Sequence, residues 1–252
     1  MTRIIMHGCN GHMGQVISDI IAKDDSCVMA AGIDIRPDAV SNSYPVFSSL
    51  KECTEEADVV IDFSTAKAID TLLADCVEKK LPLVLCTTGL TPEQLAKVDE
   101  ACKEIPILRS ANMSLGVNTL MKLVAAAAEV LANAGYDIEI VEKHHNQKVD
   151  APSGTALALA DAINEAMNNV YTYKYDRSTE REKRSDKEIG ISAVRGGTIV
   201  GEHEIFYCGQ DEVVEIKHTA YSKAIFGKGA VQAAKFLAGQ PAGLYNMSHV
   251  IG

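Results

Sequence analysis

Positive charge is scarce in this chain: its 252 residues carry 24 Lys and Arg against 34 Asp and Glu, for a formal net charge of -10. A duplex binder needs cations facing phosphates, so nucleic acid is not an expected partner. The balance excludes a broad basic surface but not a local cationic pocket for a small anion. Long apolar runs are also missing. None approaches the ~20 residues that a membrane span requires, so no membrane association is expected. The seven cysteines (Cys9, Cys27, Cys53, Cys76, Cys86, Cys102, Cys208) are scattered, odd in number and without a C-x-x-C pair. That pattern predicts reduced thiols in a reducing compartment rather than a disulfide framework. His144-His145 has no Cys or His companions at ligand spacing, so no metal site is expected. The chain opens into Arg3-Ile4-Ile5-Met6 without a cationic segment leading a long apolar stretch. A cytoplasmic location is the resulting expectation.

What is present is ordinary globular material, 47% hydrophobic and 23% charged, enough for a sizeable core in one large or two modest domains. In the first half, short apolar runs predict strands at Ile4–Met6, Cys27–Ile33, Ala57–Phe63, Leu83–Cys86 and Ile105–Leu108. Met13, Val16, Ile17, Ile20 and Ile21 repeat at helical spacing after the first of them. Thr91-Pro92-Glu93 fits an N-cap with proline at the first helical position, predicting a helix over 92–104. Strands that are apolar throughout and separated by helices imply an α/β fold with a parallel sheet covered on both faces. The second half changes character. Leu120, Leu123, Val124, Ala127, Val130 and Leu131 predict an amphipathic helix, and Asp137–Glu142 alternates as a strand does. A further helix is expected from about Ser153. Tyr171–Glu188 is dense in both charge signs and reads as a solvated loop. Strand-like runs from Ile189 to Ala220, with a turn at Gly196-Gly197, suggest a mixed or antiparallel sheet, and Gly229–Ala238 reads as the last helix.

Two stretches carry chemistry. Gly8-Cys9-Asn10-Gly11-His12-Met13-Gly14 is a G-x-x-G-x-x-G loop between a predicted strand and a predicted helix. Glycines there permit a tight turn and close approach to a pyrophosphate, which then sits on the positive helix N-terminus. A glycine-rich turn without a ligand would look the same in isolation. Asp34, however, ends the second strand ~20 residues after the last glycine, where a ribose-binding acid belongs. Cys86-Thr87-Thr88-Gly89 and Ser110-Ala111-Asn112-Met113-Ser114 follow the fourth and fifth strands, the edge at which open α/β sheets bind ligands. Asp62-Phe63-Ser64 ends the third in the same way.

The second stretch runs from Glu142 through Lys143-His144-His145-Asn146-Gln147-Lys148 to Pro152-Ser153-Gly154-Thr155-Ala156. Neighbouring imidazoles supply a general acid near neutral pH. Lys148 offers a point charge for a carboxylate, and a helix opening at Ser153 offers free N–H groups to an anion. A polar surface loop with Ser153 as a simple cap is the competing reading.

This stretch is similar to the motif of the dihydrodipicolinate reductase family, in which a double histidine leads into K-V-D-A-P-S-G-T-A. Lys148–Ala156 matches it without a gap, and the resemblance extends over the whole chain, through Val60–Ser64, Thr87–Gly89, Ala111–Asn118 and Val194–Gly197 with Val200–His203. It implies a Rossmann-like nucleotide-binding domain over 1–113 plus 223–252. An inserted α+β domain over 114–222 would bind substrate and build a homotetramer. It further implies His144 as proton donor, Lys148 as second catalytic residue, and His145, Gly154 and Thr155 as substrate contacts. Cofactor contacts would come from Gly8, Cys9, Asn10, Gly11, His12, Met13, Asp34, Cys86, Thr87, Thr88, Ser110, Ala111, Asn112 and Met113. The implied activity is NAD(P)H-dependent reduction of the cyclic dicarboxylate 4-hydroxy-tetrahydrodipicolinate in lysine and diaminopimelate biosynthesis.

Cys86 stands where the family loop usually has the first glycine of G-T-T-G, and 167–188 is diverged. His12 and Gln15 occupy places where many relatives carry arginine, and Asp34 would accept a ribose hydroxyl but repel a 2′-phosphate. The expectation is therefore NADH at least as well as NADPH, with Arg36 as the cation that opposes this bias. A homoserine or aspartate dehydrogenase of the same fold, or an NAD(H)-binding regulator without turnover, would explain the glycine loop. Neither explains the double-histidine run.

Overall fold

The computed structural model describes residues 1–252. In chain order, β1 (Thr2–His7), α1 (His12–Ile21), β2 (Cys27–Ile33), β3 (Val46–Phe47), β4 (Val59–Asp62), α2 (Ile69–Lys79), β5 (Leu83–Leu85), α3 (Pro92–Ala101) and β6 (Pro106–Arg109) come first. Then follow α4 (Leu115–Leu131), β7 (Asp137–His144), α5 (Gly154–Ala166), β8 (Thr172–Lys174), β9 (Glu188–Arg195), β10 (Gly201–Cys208) and β11 (Val213–Ala220). The chain ends with α6 (Ala224–Leu237), β12 (Gly243–Tyr245) and α7 (Met247–Ile251). It divides into two compact units, Met1–Leu115 with Ala224–Gly252, and Gly116–Lys223. No helix is long and apolar enough to cross a membrane.

The first unit is a seven-stranded sheet in the order β12-β6-β5-β4-β1-β2-β3, and every adjacent pair is parallel. Its apolar strands obey a period of two. Ile4, Met6, Val59, Ile61, Val84 and Leu108 face one side, where Ile17 of α1 and Ala230, Val231, Ala234 and Leu237 of α6 cover them. Ile5, Ala31, Ile33, Val60, Leu83, Leu85 and Ile107 face the other, under Ile69, Leu72 and Leu73 of α2 and Val98 of α3. Both faces are dry, as a parallel sheet requires. Thr91 starts α3 with a capping box: its side chain accepts from Gln94 N at 3.2 Å, while Gln94 Oε1 accepts from Thr91 N at 3.1 Å. From β1 the chain builds β2 and β3 on one side, then crosses to β4 on the other. The crevice between the C-terminal ends of β1 and β4 is therefore the topological switch point.

The second unit is a mixed five-stranded sheet, β11-β10-β7-β9-β8. In it β7 runs antiparallel to β10 and parallel to β9. Ile138, Ile140, Ile189, Ile191, Ile205 and Tyr207 pack under Leu120 and Val124 of α4 and Leu159 and Ile163 of α5. The opposite face is polar, with Lys143 paired to Glu204 at 2.8 Å and Lys217 to Glu202 at 2.9 Å.

Two sequence expectations are corrected. Tyr171–Glu188 is not simply a solvated loop: it contains β8, parallel to β9, and Tyr171 is buried. The Asn164 side chain donates to Tyr171 O at 3.0 Å and accepts from Tyr171 N at 2.9 Å. Arg184 is spent on Asp137 and Glu139 of β7, at 2.7 and 3.0 Å. Charge density alone cannot reveal that the partners lie on another strand. Gly229–Ala238 is also neither the full extent of its helix nor the last one. α6 begins at Ala224, and β12 and α7 follow it, each too short to show a periodicity.

Candidate active site

At the switch point of the first unit, the chain leaves β1 through Gly8, whose φ of +83° belongs to the left-handed region. A Cβ on Gly8 would stand 2.8 Å from Phe63 O, so the loops after β1 and β4 touch through backbone. Cys9 buries its thiol in the core, which leaves only its backbone to meet a ligand. Gly11 is the N-cap of α1, in extended conformation and with no side-chain cap. The first turn of α1, beginning at the exposed His12 and half-buried Met13, thus presents its N–H groups to whatever anion arrives. Asp34, at the end of β2, is tied to this loop: Oδ2 accepts from Asn10 N at 3.2 Å and Oδ1 from Arg36 N at 2.9 Å. A cavity of about 240 Å³ opens here, lined among others by Gly8, Asn10, Gly11, Asp34, Arg36 and Ser64.

The remaining predicted residues of this unit lie along the same sheet edge. Beyond β4, Asp62 is fully buried with Oδ1 at 2.6 Å from His7 Nδ1. Asp62 Oδ2, Ser64 Oγ and Thr87 Oγ1 are buried with no protein partner, which suits a polar ligand. Cys86, after β5, packs against the core, and burial together with Asp62 holds its thiol well above the ordinary range. The side chain that replaces the family glycine thus turns into protein. Thr88 is exposed, and after β6 Ser110 is half-buried, Ala111 exposed and Met113 buried. Asn112 Oδ1 accepts from Ser114 N at 2.8 Å.

In the second unit a row of polar side chains ends the helix-facing side of the sheet. Glu142 and His144 alternate onto it from β7, Arg195 from β9, and Gly201 and His203 from β10. Glu142 is completely buried and its carboxylate is saturated. Arg195 donates Nη1 to Oε2 and Nη2 to Oε1, both at 2.7 Å. Ser153 N donates to Oε1 at 2.9 Å, and His144 Nδ1 lies 2.6 Å from Oε2. Burial alone would raise the Glu142 carboxyl, but Arg195, His144 and the Ser153 N–H together hold it below the usual range. His203 stands edge-on to His144, ring centroids 5.2 Å apart, with Nε2 at 3.0 Å from Ser153 Oγ. Burial, reinforced by His144, pushes its imidazole down to about 4, so it is neutral at physiological pH. A Cβ on Gly201 would come within 3.1 Å of His144 Nε2, and the glycine keeps that nitrogen clear.

Ser153 also N-caps α5, accepting from Ala156 N at 3.1 Å, and leaves Gly154 exposed and Thr155 half-buried in the first turn. His145 is half-buried, and Lys148 N donates to its carbonyl at 3.1 Å. Lys148 Nζ pairs with the exposed Asp150 at 2.8 Å, a partner that solvent or a ligand can replace. The double-histidine run therefore forms one compact site with the α5 N-terminus. Sequence reasoning assigned no role to Glu142, Arg195 or His203. Glu142 was within reach, since the strand period places it on the face of His144. Arg195 and His203 lie 53 and 50 residues from their partners Glu142 and Ser153, and no local pattern joins them.

Residues 2–113 match the family model for the N-terminus of dihydrodipicolinate reductase, and residues 116–251 match that for its C-terminus. The 4-hydroxy-tetrahydrodipicolinate reductase of Caldanaerobacter subterraneus subsp. tengcongensis is 53% identical over 251 residues, which cover 100% of this chain and 98% of that protein. The protein of the same name from Clostridium novyi is 46% identical, with the same coverage. A solved structure of dipicolinate-bound dihydrodipicolinate reductase from Paenisporosarcina sp. TG-14 superposes with a TM-score of 0.80 at 25% identity, covering 98% of this chain and 97% of that one. GenD2 from gentamicin A biosynthesis, in complex with NAD, shares the fold alone, with a TM-score of 0.58 at 12% identity over 99% of this chain and 90% of that one. The chain belongs to the dihydrodipicolinate reductase (4-hydroxy-tetrahydrodipicolinate reductase) family, oxidoreductases of lysine and diaminopimelate biosynthesis.

Proposed function

We propose that the first unit holds NADH or NADPH, that the second holds 4-hydroxy-tetrahydrodipicolinate, and that the product is tetrahydrodipicolinate, with the hydroxyl and a proton from the adjacent ring carbon leaving together as water before the hydride and one further proton are added. The observation that carries this reading is the grouping of His144, Lys148 and the first turn of α5 in one site, with His144 Nε2 kept clear by Gly201. The dihydronicotinamide supplies a hydride to the ring, and the protein supplies the proton and the positioning. His144 delivers the proton that restores the imine. Lys148 and the N–H groups at Gly154 and Thr155 hold carboxylates, with His145 as a further contact. Fixing both carboxylates aligns the ring, which is a large part of the rate.

Gly8 to Met13 cradle the pyrophosphate, and Asp34 accepts the ribose hydroxyls. Cys86, Thr87, Thr88 and Ser110 to Met113 border the nicotinamide half, where the unpartnered Thr87 hydroxyl is available to the carboxamide. Asp34, already tied to the glycine loop, is poorly placed to tolerate a 2′-phosphate, so NADH serves at least as well as NADPH. The uncovered polar face of the five-stranded sheet, with Val213 and Val194 exposed on it, supports a homotetramer built through the second unit. Seven unpaired thiols support a cytoplasmic location.

The test is oxidation of NADH and NADPH with substrate made in situ by a dihydrodipicolinate synthase, and competition by pyridine-2,6-dicarboxylate. Turnover with competitive inhibition is expected. His144→Ala should lose about 10²–10⁴-fold in kcat with unchanged cofactor affinity, while Lys148→Ala should raise KM and lower kcat. Absence of turnover would overturn the function, and near-wild-type kcat in His144→Ala would overturn the donor.

A further inference from the structure

Glu142 offers only acceptors, and its four neighbours can be counted. Two are Arg195 N–H groups and one is the Ser153 N–H, all necessarily donors. The fourth, His144 Nδ1, faces the same ionised carboxylate at 2.6 Å, so it must donate as well. In neutral His144 the proton therefore resides on Nδ1, and Nε2 is the nitrogen that gains and gives a proton at the ligand side. That carboxylate is wholly buried, and Arg195 matches its charge with two bonds of 2.7 Å. What Glu142 contributes is thus the orientation and tautomer of the ring more than a net field. Arg195 is itself fixed by donating Nη2 to Asp150 O at 2.6 Å.

We propose that Glu142, clamped by Arg195 and the Ser153 amide, is the positioning residue that sets His144 with Nδ1 protonated and Nε2 presented to the substrate. The proposal rests on the reading of His144 as proton donor. It also explains why two strands and a helix N-terminus converge on one carboxylate that no ligand can reach.

Glu142→Gln is the decisive variant, because it keeps the shape and removes one acceptor. With its oxygen towards Ser153 and Arg195 Nη2, the amide NH2 takes the place of Oε2: Arg195 Nη1 keeps only Val194 O as acceptor, and His144 Nδ1 must then accept. The proton moves to Nε2, and an imidazolium with Nδ1–H against NH2 is disfavoured. The measurement uses the full-length enzyme saturated with NADH and labelled with 15N-histidine, at a pH where His144 is neutral. Its signals are assigned by their loss in His144→Ala.

The wild type should show the Nδ1–H tautomer and Glu142→Gln the Nε2–H tautomer. In Glu142→Gln, kcat should fall about 10²–10⁴-fold, the range of a lost general acid, with KM and NADH affinity within about twofold and Glu142→Asp partly rescuing kcat. An Nε2–H tautomer in the wild type overturns the proposal, and that readout stands even if Glu142→Gln does not fold. So does a Glu142→Gln enzyme with an unchanged tautomer, whether active or merely destabilised. If His144→Ala keeps wild-type kcat, the donor reading itself falls. If His144→Ala is crippled while Glu142→Gln is fully active, only the role of Glu142 falls.

Discussion

Gly14 and Gly11 of the glycine loop are required for different reasons, and alanine separates them. In Gly14→Ala the new Cβ would sit 2.3 Å from Gly8 O, 2.5 Å from Cys9 O and 2.7 Å from Cys9 C. All three are backbone atoms of the adjacent turn, so no side chain can swing aside. The N-terminus of α1 must lift, disturbing the contact of Ile17 with the core. Overpacking of this kind costs about 1–3 kcal/mol, partly offset by the ~1 kcal/mol by which alanine favours a helix interior over glycine. A net loss of about 1–2 kcal/mol corresponds to roughly 3–7 °C in melting temperature for a unit of this size. Gly11→Ala differs. Gly11 is exposed with φ of -74°, and its Cβ meets only Gly8 O, at 3.2 Å. Stability should stay within about 0.5 kcal/mol of wild type, yet the methyl would occupy the surface proposed above for the pyrophosphate. Cofactor affinity should then fall tenfold or more, about 1.4 kcal/mol. Calorimetric melting and titration of NADH fluorescence read the two effects separately. A Gly14→Ala protein as stable as wild type would refute the packing argument, and unchanged NADH affinity in Gly11→Ala would refute the placement of the phosphates.

Protonation of His203 should couple stability to pH. Its pKa is depressed from 6.5 to about 4 by burial, so between those values the unfolded chain binds more protons than the folded one. The stability is full above about 6.5 and is lost as pH falls towards about 4. Urea unfolding should show about 2 kcal/mol of this loss at about pH 5 in the wild type and none of it in His203→Gln; equal pH slopes would refute it. For cofactor choice, kcat/KM for NADH should equal or exceed that for NADPH, and Arg36→Ala should lower only the NADPH value. A strong NADPH preference in the wild type would overturn the role of Asp34.

The parallel sheet and its edge were readable because each strand states its own burial. Cys27–Ile33 is uninterrupted by charge, and the Gly8–Gly14 loop must follow a strand and open a helix to work at all. The α3 boundary was equally local, since Thr91, Pro92 and Gln94 form a cap within four residues. The boundaries of α6, the existence of β8 and the burial of Tyr171 were not readable, because each depends on partners elsewhere.

The sequence by itself therefore determined the alternation of strand and helix, the glycine loop with Asp34, and the local run from His144 to Thr155, because these rest on periodicity, backbone conformation and capping over a few residues. Only the tertiary structure decided that Arg195 closes on Glu142, that His203 meets Ser153, that the Cys86 thiol turns into the core and that Arg184 serves β7. Those are long-range pairings of buried or half-buried groups, chosen by desolvation and register between strands, and neither quantity exists until the chain has folded.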